Sequence, residues 1–245
     1  MSVGYFFAWC IAYLPIRLLY PTTVINKKVF RQKGRAVMVC NHMSNLDVVI
    51  IKSHEHTKRY VLAKHSLFKN KFVGGVLKGL GGIPVNRQEV GVSTIRSVLD
   101  VLKNENQVLI FPEGTRETSI DDVNALKNGM AMFALKSESP IIPMMLLYKP
   151  KMFRFNKLIV GEPIDLSQYK GQRVSKDAYA EIANNVLNTM QNLRKDYINS
   201  LKPRRRAKVL AKLEKIEQKE QEHLQRKAEK VQKKIDRKHK KADSV

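Results

Sequence analysis

Cysteine is scarce in this sequence. Cys10 and Cys40 are its only two cysteines, so it has neither a disulfide framework nor a pair of cysteines at metal-ligand spacing. This composition is typical of a reducing compartment. The run His54-Glu55-His56 has no third ligand at a recognisable spacing, so we expect a solvated helix end there and no metal site.

Long apolar runs are also lacking. Residues Ser2 to Tyr20 are apolar and rich in aromatic residues, but Pro15 interrupts them well short of the ~20 residues that a spanning helix needs. The positive charge and small-residue cleavage site of a signal peptide are absent. We predict an N-terminal pair of helices, within residues 1–30, that lies in a membrane interface. A first helix packed on the protein's own core is the alternative.

Acidic residues are few relative to basic ones. There are 22 Asp and Glu against 45 Lys and Arg, which gives a net charge of +23. The partners are therefore anionic: nucleic acid, an anionic membrane or a phosphorylated substrate. Surfaces that bind nucleic acid interleave aromatic and basic residues, and Pro203 to Val245 has no Phe, Tyr or Trp, so no nucleic acid partner is expected.

The end of the chain has neither Gly nor Pro after Pro203. A thin apolar stripe at helical spacing runs through dense Lys, Glu and Gln, which predicts one long helix in a basic extension, residues 203–245. This extension could lie on a membrane, pair as a coiled coil or form a solvated tail.

The middle of the chain alternates short apolar runs with amphipathic stretches, which predicts an α/β domain, residues 31–202, with a mixed, largely parallel sheet flanked by helices. The predicted strands are Val37–Cys40, Tyr60–Ala63, Ile83–Val85, Val108–Phe111, Ile141–Tyr148 and Leu158–Val160. The predicted helices are Leu46–His54, Leu67–Leu77, Gly91–Lys103, Val123–Lys136 and Lys176–Ile198.

A histidine stands at the turn between the first of these strands and the helix that follows. His42 comes directly after the buried run that ends at Cys40, and Asp47 lies in the first turn of the helix, with Ser44 or Asn45 available as N-cap. The Asp47 carboxylate could reach back to one imidazole nitrogen and leave the other as a base. The alternative from these residues alone is a capping Asp beside a histidine with backbone partners.

Two further strands end in loops that contain glycine and arginine. One is Gly81-Gly82-Ile83-Pro84-Val85-Asn86-Arg87, and the other is Phe111-Pro112-Glu113-Gly114-Thr115-Arg116. Glycine permits close approach of the backbone to a ligand, and the guanidinium fork suits a phosphate. Each loop alone could equally be an ordinary turn with a surface arginine. Pro140 to Met144 begins another apolar strand, which we expect to shape a wall of the site.

In order and spacing, these four stretches resemble the four motifs of the glycerolipid acyltransferase family, and most closely its 1-acyl-sn-glycerol-3-phosphate (lysophosphatidic acid) acyltransferases. The His-x4-Asp motif and the run Phe-Pro-Glu-Gly-Thr-Arg are its most specific parts. The resemblance covers about Arg35 to Val160. It implies acyl transfer from acyl-CoA or acyl carrier protein to the sn-2 hydroxyl of lysophosphatidate, without a cofactor. It also implies an enzyme seated on the cytoplasmic face of the membrane.

The resemblance also assigns roles to residues. His42 is the general base, oriented by Asp47, and neither Cys40 nor Ser44 is needed as a nucleophile. The acceptor is bound by the set Lys64, Arg87, Glu113, Gly114, Thr115 and Arg116.

The sequence departs from the family pattern at two places. Asn86 stands where the second motif commonly has Asp, and Glu117-Thr118 follow Arg116 in place of Ser and a basic residue. Both places lie in the predicted acceptor site, so a related acyltransferase acting on glycerol 3-phosphate or another lysophospholipid is the first alternative. A non-enzymatic basic protein that binds membranes is the second.

Overall fold

The structure, a computed structural model, describes residues 13–55, 58–85, 91–112, 129–171 and 174–242. Within these residues one sheet has seven strands in the order β1-β7-β6-β2-β5-β3-β4. The strands are β1 (Thr22–Ile25), β2 (Ala36–Cys40), β3 (Tyr60–Lys64), β4 (Gly82–Val85), β5 (Gln107–Ile110), β6 (Ile141–Leu146) and β7 (Asn156–Val160).

Eight helices accompany the sheet in the described residues. They are α1 (residues 13–19), α2 (Lys27–Phe30), α3 (Leu46–Ser53), α4 (Lys71–Gly79), α5 (Val92–Lys103), α6 (Gly129–Lys136), α7 (Lys176–Asn199) and α8 (Pro203–Ala242). Short 3₁₀ turns lie at His65–Phe68 and Ser167–Tyr169. None of the helices in the described part of the chain combines the length and apolar character needed to cross a membrane.

The strand directions define one functional edge of the sheet. Neighbouring strands are parallel throughout, except that β7 runs antiparallel to β6. Strands β2 to β6 therefore all end at the same edge, which we call the carboxyl edge, and β1 and β7 begin there. The predicted mixed, largely parallel sheet is confirmed.

The sheet is covered on both faces because β2, in its middle, is apolar on both. Val37 and Val39 contribute to one core with residues of α5, α6 and α7. Met38 and Cys40 contribute to the other core, together with residues of α3, the end of α7 and the beginning of α8. All five residues of β2 are fully buried, as expected for a central strand of a parallel sheet.

Two local features differ from the sequence-based expectations, and part of a third expectation falls outside the described residues. Strand β1 was not predicted, although its run of β-branched residues, Thr22 to Ile25, favours a strand. Helix α4 begins at Lys71 and not at Leu67, because Asn70 caps it by accepting hydrogen bonds from the amides of Phe72 and Val73 at 3.0 and 3.1 Å. Of the predicted helix Val123–Lys136, residues 123–128 lie outside the described residues.

The long C-terminal helix is confirmed as α8, and its first turns belong to the fold. Leu213 is buried, and Val209 and Ile216 pack against the same core. Lys212 lies over the Tyr148 ring at 4.2 Å, and Arg194 of α7 contacts Glu217 at 3.4 Å. The solvated-tail alternative is therefore wrong for this part of the extension.

The expected solvated helix end at His54-Glu55 is also wrong, since Glu55 is only 1% exposed. It accepts hydrogen bonds from the ammonium of Lys52 at 2.9 and 3.1 Å, and the same ammonium donates to the carbonyl of Arg59 at 2.7 Å. Burial lowers the pKa of Lys52, while the charge of Glu55 opposes that shift. Both His54 ring nitrogens face backbone carbonyls, those of Ile50 and Thr22. His56 lies outside the described residues.

We expect Glu55→Gln to lower the free energy of unfolding by about 3–5 kcal/mol, because it leaves the buried Lys52 ammonium without its counter-charge. The double variant Lys52→Met/Glu55→Gln should lose less, since it removes the buried Lys52 ammonium together with its counter-charge. Urea unfolding measures both. The control is Glu138→Gln, which removes the partner of Lys170 from an exposed ion pair and should change stability little. A loss at Glu55 no larger than at Glu138 would contradict the prediction.

Candidate active site

Asn41 holds the end of β2 at the carboxyl edge. Its side chain is buried and makes two hydrogen bonds to the backbone of Leu146, at the end of β6. The amide oxygen accepts from the Leu146 N–H at 2.8 Å, and the amide nitrogen donates to the Leu146 carbonyl at 3.2 Å. This pair of bonds continues the contact between β2 and β6 beyond the last paired residues, so it fixes the backbone from which His42 projects.

Asp47 organises the turn that follows. One carboxylate oxygen, Oδ2, accepts from the backbone N–H groups of Met43 and Ser44, each at 2.6 Å, and lies 3.1 Å from Nδ1 of His42. Asn45 occupies the N-cap position of α3 without a side-chain hydrogen bond, and Ser44 Oγ accepts from the Leu46 N–H at 3.3 Å. Asp47, reaching back from the first turn of the helix, thus bonds the two N–H groups of the preceding turn, while Ser44 bonds the first N–H of the helix.

The contact with Asp47 sets the tautomer of His42. A carboxylate only accepts, so Nδ1 carries the hydrogen and donates it, and the lone pair of the neutral ring lies on Nε2. The Phe111 ring lies against the imidazole, with 4.3 Å between ring centroids and 34° between planes. His42 is only 5% exposed and Asp47 is fully buried. Contacts with Asp47 on one side and Phe111 on another therefore hold the His42 ring in one orientation.

The residues predicted to bind the acceptor substrate follow neighbouring strands. Lys64 is exposed at the end of β3. Since β3 is two strands from β2, its backbone lies ~10 Å from that of the strand carrying His42. Arg87 follows β4, and Glu113, Gly114, Thr115 and Arg116 follow β5. These five lie outside the described residues, but the strands that precede them end at the carboxyl edge.

Cys40 and the run Pro140 to Met144 do not line the site. Cys40 is fully buried within the core, which is unsuited to a nucleophile. Pro140 stands before the first residue of β6, at the edge opposite His42, and Ile141, Ile142 and Met144 are fully buried. The expectation of a wall is therefore wrong: this run builds the sheet beneath the site.

Sequence reasoning missed two contributors. Asn41 and Phe111 stood in the quoted motifs without a role, yet one fixes the backbone of His42 and the other contacts its ring. An asparagine that directly follows a buried strand, at a point where the ladder ends, is the signal that could have identified the first. Nothing in the spacing of Phe111 indicated a contact with His42.

Comparisons with known proteins agree with this geometry. A family model described as "Acyltransferase" matches residues 21–147. The 1-acyl-sn-glycerol-3-phosphate acyltransferase of Bacillus subtilis is 32% identical over 160 residues, which cover 60% of this chain and 75% of that protein. The enzyme of the same name from Streptococcus pneumoniae is 27% identical over 186 residues, covering 72% and 68%.

A solved structure has a similar fold. The crystal structure of the 1-acyl-sn-glycerophosphate acyltransferase from Thermotoga maritima superposes with a TM-score of 0.57 at 23% identity. The likeness covers 76% of this chain and 75% of that one. At this identity it supports the fold.

We expect Asp47→Asn to weaken the turn and to change the tautomer of His42. The two backbone N–H groups lose a charged acceptor, which should lower the free energy of unfolding by about 2 kcal/mol. The share of neutral His42 with its hydrogen on Nε2 should rise, because an uncharged amide holds the Nδ1–H less firmly. Urea unfolding and ¹⁵N NMR of the imidazole nitrogens measure the two effects.

The matched control is Asp165→Asn. Asp165 also accepts from a backbone N–H and a hydroxyl, those of Ser167, but it is exposed and far along the chain from His42. Its replacement should leave the His42 signals unchanged. An unaltered His42 tautomer in Asp47→Asn would contradict the orienting role of Asp47.

Proposed function

Because this chain belongs to the acyltransferase family, we propose that it transfers an acyl group from a thioester donor to the sn-2 hydroxyl of lysophosphatidate, giving phosphatidate. The observation that carries the proposal is the buried contact between His42 and Asp47 at the carboxyl edge. The names of the relatives support the choice of acceptor.

The first step is removal of the acceptor's proton. An alcohol is a poor nucleophile near neutral pH, and it needs a base as it attacks. A neutral imidazole has one ring nitrogen with a free lone pair, which suits it to this role. Nε2 of His42 takes the proton, and the negative charge of Asp47 stabilises the imidazolium that forms.

The second step is collapse of the intermediate. The acceptor oxygen forms a bond to the thioester carbonyl carbon, and the C–S bond then breaks. The thiolate that leaves takes the proton from His42, which returns the imidazole to its neutral form. No acyl-enzyme is formed, so no nucleophilic side chain is required.

The oxyanion of the intermediate needs hydrogen-bond donors. The amides of Met43 and Ser44, directly after His42 in the chain, both donate to Asp47 and do not serve an oxyanion. We therefore assign this role to the loop at Gly114, which follows the neighbouring strand β5.

The phosphate of the acceptor is bound by cations at the carboxyl edge. Arg87 and Arg116 are the principal ligands in this proposal, and Lys64 is an additional one. Glu113 accepts hydrogen bonds from hydroxyl groups of the acceptor, and Thr115 offers its hydroxyl and its N–H as donors. The donor is acyl-CoA or acyl carrier protein, and the chemistry uses neither metal nor cofactor. The enzyme acts as a peripheral protein on the cytoplasmic face of the membrane.

We expect His42→Ala to lower acyl transfer to lysophosphatidate by ~10²–10⁴-fold, the usual contribution of a general base. The assay uses purified protein with acyl-CoA and with acyl carrier protein donors in parallel. His65→Ala, which removes an exposed histidine, is the control and should retain activity. If His42→Ala kept more than about a tenth of the activity, the base would have to be another group.

Arg116→Ala and Arg87→Ala should each lower kcat/KM for lysophosphatidate by ~10–150-fold, the effect of losing one charged hydrogen-bond partner. For an acceptor without a free phosphate monoester, such as lysophosphatidylcholine, the same variants should lose less. Arg96→Ala, at an exposed position of α5, is the control. Equal losses for both acceptors would argue against phosphate binding, and a preference for glycerol 3-phosphate would favour the related acyltransferase.

A further inference from the structure

The exposed hydrophobic side chains are concentrated at one edge of the sheet. Among the described residues, every strongly exposed large hydrophobic side chain outside α8 belongs to a segment that begins, turns or ends at the carboxyl edge. Three phenylalanines are the most prominent: Phe72 is 81% exposed, Phe155 74% and Phe153 72%. Large apolar side chains exposed together at one edge indicate an interaction site.

One part of this surface is the loop between β6 and β7. Met152, Phe153 and Phe155 project from it. The Phe153 N–H donates to the carbonyl of Leu19, at the end of α1, at 2.6 Å. The loop therefore lies beside α1, whose Leu14 and Leu18 are also exposed.

The second part follows β3 on the other side of His42. The 3₁₀ turn after Lys64 exposes Leu67, and α4 exposes Phe72, Val73 and Val76. Since β3 ends at the carboxyl edge, this part and the loop flank the end of β2 from opposite sides. We call the two parts together the apolar rim.

The charges on the rim are all of one sign. Neither Lys64 to Lys78 nor Lys149 to Lys157 contains an aspartate or a glutamate, and each contains four lysines or arginines. Lys71 and Lys151 are exposed beside the phenylalanines. Apolar side chains interspersed with cations are complementary to an anionic lipid bilayer, which has an apolar interior and negatively charged headgroups.

We propose that the apolar rim seats the carboxyl edge on an anionic lipid bilayer, with α4 and the β6–β7 loop inserted on either side of His42. The occupant is lipid because a flat bilayer can contact both parts at once, and because the cations stand among the apolar groups. The proposal deepens the proposed function, in that a lipid acceptor would reach His42 from the membrane. The residues of the apolar rim lie outside the predicted N-terminal pair of helices, and only the neighbouring α1 belongs to that pair.

The test uses the full chain and vesicles of phosphatidylcholine mixed with phosphatidylglycerol, with co-sedimentation as the readout. Phe72→Ser/Phe153→Ser should lower the partition coefficient by at least ~10-fold, because two large apolar groups leave the membrane. Lys71→Glu/Lys151→Glu should lower it by a similar factor, and salt should weaken the binding of the wild type. Vesicles of phosphatidylcholine alone should bind less.

The matched control is Lys103→Glu/Lys136→Glu. These lysines are exposed at the ends of α5 and α6, on the opposite edge, and their replacement changes the net charge by the same amount. The control should bind like the wild type. An equal loss in the control would show that only the total charge matters, and wild-type binding by both rim variants would place the membrane contact elsewhere. Either result would overturn the proposal.

Acyl transfer to lysophosphatidate in detergent micelles separates this proposal from the proposed function. The rim variants should retain micellar activity while losing vesicle binding, and thermal unfolding checks that they fold. If the wild-type chain bound vesicles through the apolar rim but transferred no acyl group, the proposed acyltransferase function would be refuted, and the proposed membrane contact would not.

Discussion

A single carboxylate oxygen connects the fold of this protein to its chemistry. Oδ2 of Asp47 accepts from two backbone N–H groups of the turn and from the ring of His42. The same contacts shape the turn between β2 and α3 and orient the imidazole that we propose as the base. Since Asp47 is fully buried, its charge depends on these donors, and replacing it removes a structural and a chemical contribution together.

The direction of the strands explains why the site lies where it does. In a parallel sheet the loops that follow the strands meet at one edge, and three of the four motif stretches follow strands that end there. The same edge carries the exposed apolar side chains of α4 and the β6–β7 loop. In the proposed function the lipid acceptor has its reactive hydroxyl close to the membrane surface, so a base and a membrane contact on one edge would lie a short distance apart.

Much of the fold was predictable because β2, β5 and β6 are short, continuous apolar runs, as central strands of a parallel sheet must be. Strand β1 was missed because it is a short edge strand that lies between two helices. The apolar, aromatic-rich pattern before it favoured a helical interpretation of the whole N-terminal segment. The burial of Glu55 was missed because its partners, Lys52 and the carbonyl of Arg59, are assembled by the end of α3 and the chain that follows it. Charged residues in sequence favour a solvated interpretation unless their partners are known.

The sequence by itself determined the fold class and indicated the candidate site residues, through the spacing of His42 and Asp47 and the glycine and arginine residues that follow later strands. Those signals are local, since they depend on periodicity and on which residue types stand within a few positions. Only the tertiary structure decided that Asn41 makes two hydrogen bonds to the backbone of Leu146 and that Phe111 contacts His42. It also decided that the apolar groups of α4 and the β6–β7 loop lie on either side of the end of β2. These relations join residues far apart in the chain, and the order and direction of the strands bring them together.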